Sequence, residues 1–91
     1  MEATLFKIVD ICRSNNIEAA FIKELHQNGL IEIMIIESQE FVHEDEVARI
    51  QKYQNWHYDL ELNIQGIEIV QQLLYKIESL KQQVQSLKRG H

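Results

Sequence analysis

Proline is absent from the 91 residues, glycine occurs three times (Gly29, Gly66, Gly90) and cysteine once (Cys12). So few turn-forming residues argue against a loop-rich all-β fold and favour helices with few breaks. A single cysteine makes neither an intrachain disulfide nor a multi-cysteine zinc site, so nothing points to an oxidising compartment. Apolar runs are short: residues 33–36 fall far below the roughly 20 residues that a membrane span needs. Residues 1–15 open with Glu2 near the start and lack the cationic and apolar pattern of a secretory leader, so a cytoplasmic location is expected.

Charge is uneven. Asp and Glu number 14 against 9 Lys and Arg, a formal charge of −5. Hydrophobic residues make up 45% and charged residues 25%, ordinary for one small globular domain. A chain this short buries only roughly two thirds of its unfolded surface, so a partner or a second copy is expected to add to its core.

Periodicity divides the chain. Leu5, Ile8, Val9 and Cys12 share helical spacing, predicting a first helix over residues 4–14 that stops at Asn15-Asn16. A second helix is expected from Ile17 or Glu18 to Gln27, burying Ala20, Phe21 and Leu25, with Asn28-Gly29 as its C-terminal stop. Ile31, Ile33, Ile35 and Ile36, then Phe41-Val42, are strand formers on either side of a polar Glu37-Ser38-Gln39-Glu40 turn, which reads as a small β-hairpin. Glu44-Asp45-Glu46 opens a third helix, three carboxylates at the positive end of the helix dipole, with His43 flanking or capping it. Val47, Ile50, Tyr53 and Trp56 or His57 are its expected apolar face, before a turn around residues 63–66.

The last segment is the most regular. Val70, Leu73, Ile77, Leu80, Val84 and Leu87 alternate spacings of three and four, a heptad with β-branched a and leucine d positions. The stripe is about 25 Å long, too short to stand alone, so it either packs back on its own domain or forms an intermolecular coil. Few other apolar residues follow Lys76, which favours the coil and a homodimer. The a and d composition suits parallel strands, yet a parallel pair sets Lys76 against Lys81 of its partner, so orientation stays open. Residues 1–66 are therefore expected to form one domain and residues 67–91 the C-terminal, dimerising helix.

Helix, short turn, helix, hairpin, helix and coiled-coil helix is the order of a winged helix-turn-helix. Ile22-Lys23-Glu24-Leu25-His26-Gln27-Asn28-Gly29-Leu30 resembles the second helix of the MerR family, and Phe41-Val42-His43-Glu44-Asp45-Glu46-Val47 resembles its wing exit. Asp59-Leu60-Glu61-Leu62-Asn63-Ile64-Gln65-Gly66-Ile67, followed by Ile69, Val70, Leu73-Leu74, Ile77 and Leu80-Lys81-Gln82-Gln83, resembles the chaperone-modulator (CbpM) family. Gln65 departs from the proline common there. The resemblance implies a mainly α, MerR-like winged helix-turn-helix with a small β-hairpin wing and a C-terminal coiled-coil helix. It also implies a non-catalytic inhibitor that binds the J-domain of a DnaJ-like co-chaperone and competes with Hsp70. A MerR-like DNA-binding transcriptional regulator is the alternative, and an adaptor dimer with a different partner is a further one.

Charge placement discriminates between them. Binding to duplex DNA requires lysines and arginines that neutralise phosphates. Of the two elements a winged helix presents to DNA, the second helix carries only Lys23, and residues 32–46 contain no Lys or Arg at all. Residues 1–75 hold thirteen acids and five bases, net −8; residues 76–91 are net +3. The acids Glu32, Glu37, Glu40, Glu44, Asp45 and Glu46 suit a basic protein surface, and the resemblance implies that they cover the basic helix of a J-domain. The competing reading makes them a solvated face and helix-end compensation.

No catalytic or metal-ligand spacing is present: His26, His43, His57 and His91 are scattered, and no glycine-rich phosphate loop occurs. No enzyme activity, cofactor or metal is expected. Cys12 falls on an apolar helix face and reads as a small core residue, Tyr53 and Trp56 as core aromatics, and Tyr75 as an outward heptad position.

Overall fold

The computed structural model describes residues 4–89; Glu2, Gly90 and His91 lie outside them. Its elements are β1 (Leu5–Lys7), α1 (Ile8–Asn15), α2 (Ala19–Gln27), β2 (Met34–Ile36), β3 (Gln39–His43), α3 (Glu44–Asp59) and α4 (Ile64–Arg89). The three strands form one antiparallel sheet in the order β1-β3-β2.

The first helix begins later than its spacing predicts. Leu5, Phe6 and Lys7 pair with His43, Val42 and Phe41, so the hairpin gains a third strand from the N-terminal side. The unpaired edge of β3 supplies hydrogen-bond partners that a solvent-exposed first helical turn would lack. Lys7 keeps extended backbone (φ −69°, ψ 136°) and α1 starts immediately after it. Val9 consequently points outward and Ile11 is buried beside Ile8, with Cys12 half-buried at the margin. On α2 the buried pair is Ile22 and Leu25; Ala20 is exposed and Phe21 half-buried.

Turns follow local chemistry. Asn16 ends α1 in the left-handed region (φ 54°), where asparagine is tolerated. Beyond α2, Gly29 (φ 73°) lets Leu30 N–H reach the Leu25 carbonyl at 2.9 Å and its own N–H reach that of His26 at 3.0 Å, a Schellman closure. The hairpin turn is shorter than the sequence suggests. Only Glu37 and Ser38 lie outside the strands, both with positive φ (50° and 65°), while Gln39 and Glu40 belong to β3. Two consecutive positive φ values are the mirror-image turn that matches strand twist, here without the usual Asn or Gly.

Ile8, Ile11, Ile17, Ile22, Leu25, Ile31, Val42, Ile50, Tyr53, Ile64 and Ile67 make one core, with Val47, Trp56 and Leu62 against its edge. Ile64 and Ile67 join it because α4 begins earlier than the expected turn over residues 63–66. Asn63 caps it: its Oδ1 accepts the Gly66 N–H at 2.8 Å and its carbonyl accepts the Ile67 N–H at 2.9 Å. Gln65 therefore occupies the first helical turn. His57 Nδ1 donates to the Leu62 carbonyl at 2.7 Å and fixes the α3–α4 turn. Lys52 Nζ donates to Gln71 Oε1 at 2.9 Å, the last point at which α4 carries a buried side chain.

Beyond Gln71 every described residue of α4 is exposed. The chain extends 54 × 38 × 21 Å with a radius of gyration of 16.2 Å, against about 12 Å for a compact chain of this length. The helix thus projects from the domain, and its heptad stripe does not fold back on it.

Candidate functional site

The strand-turn-strand unit and the start of α3 carry the six acids singled out in the sequence. Glu32 precedes β2, Glu37 sits at the turn, Glu40 on β3, and Glu44, Asp45 and Glu46 in the first turn of α3. Five of them are exposed. Glu46 is the exception, with a relative exposure of 6%. Its Oε2 accepts the backbone N–H of Glu32 at 3.0 Å and its Oε1 accepts from Arg49 Nη1 at 2.8 Å. It ties the loop before β2 to α3, and its carboxylate is not available to an outside partner.

His43 is the N-cap of α3, its Nδ1 accepting the Asp45 N–H at 3.2 Å. That bond puts the ring proton of neutral His43 on Nε2. Among the described residues, Glu32, Glu37, Glu40 and Glu44 make no ion pair, Asp45 has only His43 beside it at 3.3 Å, and Arg49 is committed to Glu46. The exposed carboxylates are uncompensated, and their field adds over the hairpin.

Cations are few on the surface where a winged helix meets DNA. Lys7 and Lys23 border a cleft of about 500 Å³ between α1, α2 and the hairpin tip, whose floor is Ile8, Val9, Cys12 and Ala19. Glu40 lines the same cleft. Burial pushes the Cys12 thiol above its ordinary value, which favours the protonated thiol over the nucleophilic thiolate. Among the described residues, no three His, Cys, Asp or Glu side chains come together so as to hold a metal ion. Nor is any described helix long and apolar enough to cross a membrane.

The heptad positions divide. Val70 is half-buried near the domain, whereas Leu73, Ile77, Leu80, Val84 and Leu87 are between 48% and 71% exposed. A stripe of large apolar side chains along a projecting helix is an unpartnered surface. Tyr75 is exposed as its outward heptad position predicts.

One apolar surface was not apparent from the sequence. Strand alternation turns Val42 to the core and Phe41 and His43 away from it. Met34 pairs with Phe41, Leu5 with His43 and Ile36 with Gln39. Leu5, Met34, Ile36 and Phe41 therefore share the outer face of the sheet. Alternation within residues 34–36 and 41–43 was the available signal; β1, the third strand of that face, was masked by its helical spacing.

A helix-turn-helix, a three-stranded wing and a long projecting helix define the class of winged-helix regulators. The family model described as MerR HTH family regulatory protein matches residues 6–89, and the chain belongs to that family. A search among curated proteins finds no match to this sequence.

Proposed function

We propose that this member of the MerR family regulates by binding protein, as a non-catalytic inhibitor of a DnaJ-like co-chaperone whose J-domain it covers in competition with Hsp70. The observation that carries the reading is the placement of charge. Five exposed carboxylates (Glu32, Glu37, Glu40, Glu44 and Asp45) occupy the wing and the start of α3, and residues 32–46 contain no Lys or Arg. Such a surface repels phosphate and attracts a basic protein face, steering encounter and fixing register. The choice of a J-domain rests on the resemblance of the Asp59-Leu60-Glu61-Leu62 segment and its continuation to the chaperone-modulator family. Exposed Leu73, Ile77, Leu80, Val84 and Leu87 support a homodimer through α4.

Family membership makes duplex DNA the competing ligand. Lys7 and Lys23 are the cations available to it beside the wing, and they share their cleft with Glu40. Specific duplex binding by a small regulator is nanomolar and steeply salt-dependent.

The test is the simultaneous replacement Glu37→Lys, Glu40→Lys and Glu44→Lys. All three side chains are exposed, so the circular dichroism spectrum should not change. Binding to the cognate J-domain should be abolished. Unchanged affinity would overturn the placement of the binding surface.

A further inference from the structure

We infer that the outer face of the three-stranded sheet is the docking floor for a basic amphipathic helix, apolar side down, with the surrounding carboxylates holding cations at its two ends. The inference deepens the proposed function by adding apolar contacts to the acidic rim, and it rests on that reading only for the partner's identity.

The face is built from Leu5, Met34, Ile36 and Phe41 on three strands; the opposite side carries buried Val42 on the central strand, with Phe6 41% and Ile35 72% exposed on the two edge strands. Met34 and Ile36 are 46% and 42% exposed, and Leu5 and Phe41 are half-buried. Lys7 shares this face by register, but its side chain borders the α1–α2 cleft.

Charge complementarity selects the occupant. Glu32 and Glu37 bracket β2 at its two ends, and Glu44 and Asp45 follow β3 at the Glu32 end. Met34, His43, Glu32, Asp45, Glu46 and Arg49 border one shallow cleft there, of about 300 Å³, and its one Arg is bound to Glu46. The acids at the two ends lie roughly 17 Å apart along an extended strand. That span equals roughly three turns of helix, so a helix laid along β2 would place cations about 11 residues apart over the two acidic ends. Its apolar stripe would meet Met34, Ile36 and Phe41. A strongly acidic or wholly polar helix would leave the carboxylates repelled or the apolar floor wet.

The probe is a capped synthetic peptide of about 18 residues, long enough to hold some helix, with a leucine stripe and lysines at both ends. Its control replaces those lysines with glutamates. Titrated into the 15N-labelled full chain, the basic peptide should shift the amide signals of Leu5, Met34, Ile36, Glu37 and Phe41. Met34→Ser with Ile36→Ser should weaken it by roughly tenfold with the circular dichroism spectrum retained, and the control should bind at least roughly tenfold more weakly.

Shifts confined to the α4 stripe, equal binding of the acidic control, or no binding would each overturn the inference. So would the same sheet-face shifts on concentrating the chain alone if Leu80→Lys removed them, because the occupant would then be a second copy. A J-domain that fails to bind while the peptide docks here would overturn the proposed function and leave this surface standing. A J-domain that binds without shifting the sheet face would do the reverse.

Discussion

Glu46 shows how a residue can look like surface in sequence and act as structure. It sits in a run of three acids at a helix start, where a solvated, dipole-compensating role is the simplest expectation. Its burial and its bonds to Glu32 N–H and Arg49 give it a different role. Glu46→Ala should destabilise the fold by about 1–3 kcal/mol, the usual range for leaving a buried donor unpaired. Chemical denaturation reads this directly, and a loss well below about 0.5 kcal/mol, the lower limit for a net hydrogen bond, would contradict it. Local sequence does not set Glu46 apart from Glu44 and Asp45, because Arg49 lies within a helical turn of both Asp45 and Glu46 and the Glu32 N–H that Glu46 accepts lies fourteen residues back.

Cys12 and Tyr53 give predictions of sign at the same scale. The Cys12 thiol, raised by burial, should react with a thiol reagent more slowly in the folded chain than in the urea-unfolded chain at the same mildly alkaline pH. Equal rates would show it to be free. Tyr53 is raised mainly by burial, with smaller contributions from Tyr75 and Glu46 opposed by Arg49. Its stabilising contribution is fully present below the ordinary tyrosine value of about 10 and is lost as pH rises through the higher folded value. The fall in melting temperature above about pH 10 should be smaller in Tyr53→Phe; equal falls would contradict the assignment.

Among the elements, the hairpin turn and α4 are the informative ones. Glu37 and Ser38 both adopt positive φ without the Asn-Gly that such a turn prefers. Glu37→Asn with Ser38→Gly should stabilise the fold by about 1 kcal/mol or more, read as a raised melting temperature. If Glu37 contacts the partner, the same change should weaken binding, so stability and affinity would move in opposite directions. The α4 stripe was legible because a heptad needs no tertiary context; Ile77, Leu80 and Val84 stand exposed along it. Leu80→Lys should convert a dimer to monomer by light scattering, and a wild-type monomer at tens of micromolar, a concentration at which even micromolar-affinity pairs are assembled, would refute the coil. β1 was not legible. Leu5, Ile8, Val9 and Cys12 satisfy a helical spacing, and only the exposed edge of β3, far along the chain, decides for a strand.

At the scale of the molecule, the net charge of −5 conceals an acidic domain on one end of a basic helix. The fold is that of a MerR-family regulator, and apart from β1 its order of elements could be read from the sequence because caps, hairpin and heptad are all local signals. The outer sheet face could not, because it exists only once three separate segments pair. The charge on the wing carries the functional proposal. Its most direct test is isothermal titration of the full chain against the J-domain of the cognate DnaJ-like co-chaperone at low and high salt, beside a mobility-shift assay with duplex DNA at low salt. Saturable J-domain binding that weakens as salt rises, with no duplex shift, is the expected result. No heat of binding with the J-domain, together with a salt-sensitive duplex shift, would contradict it.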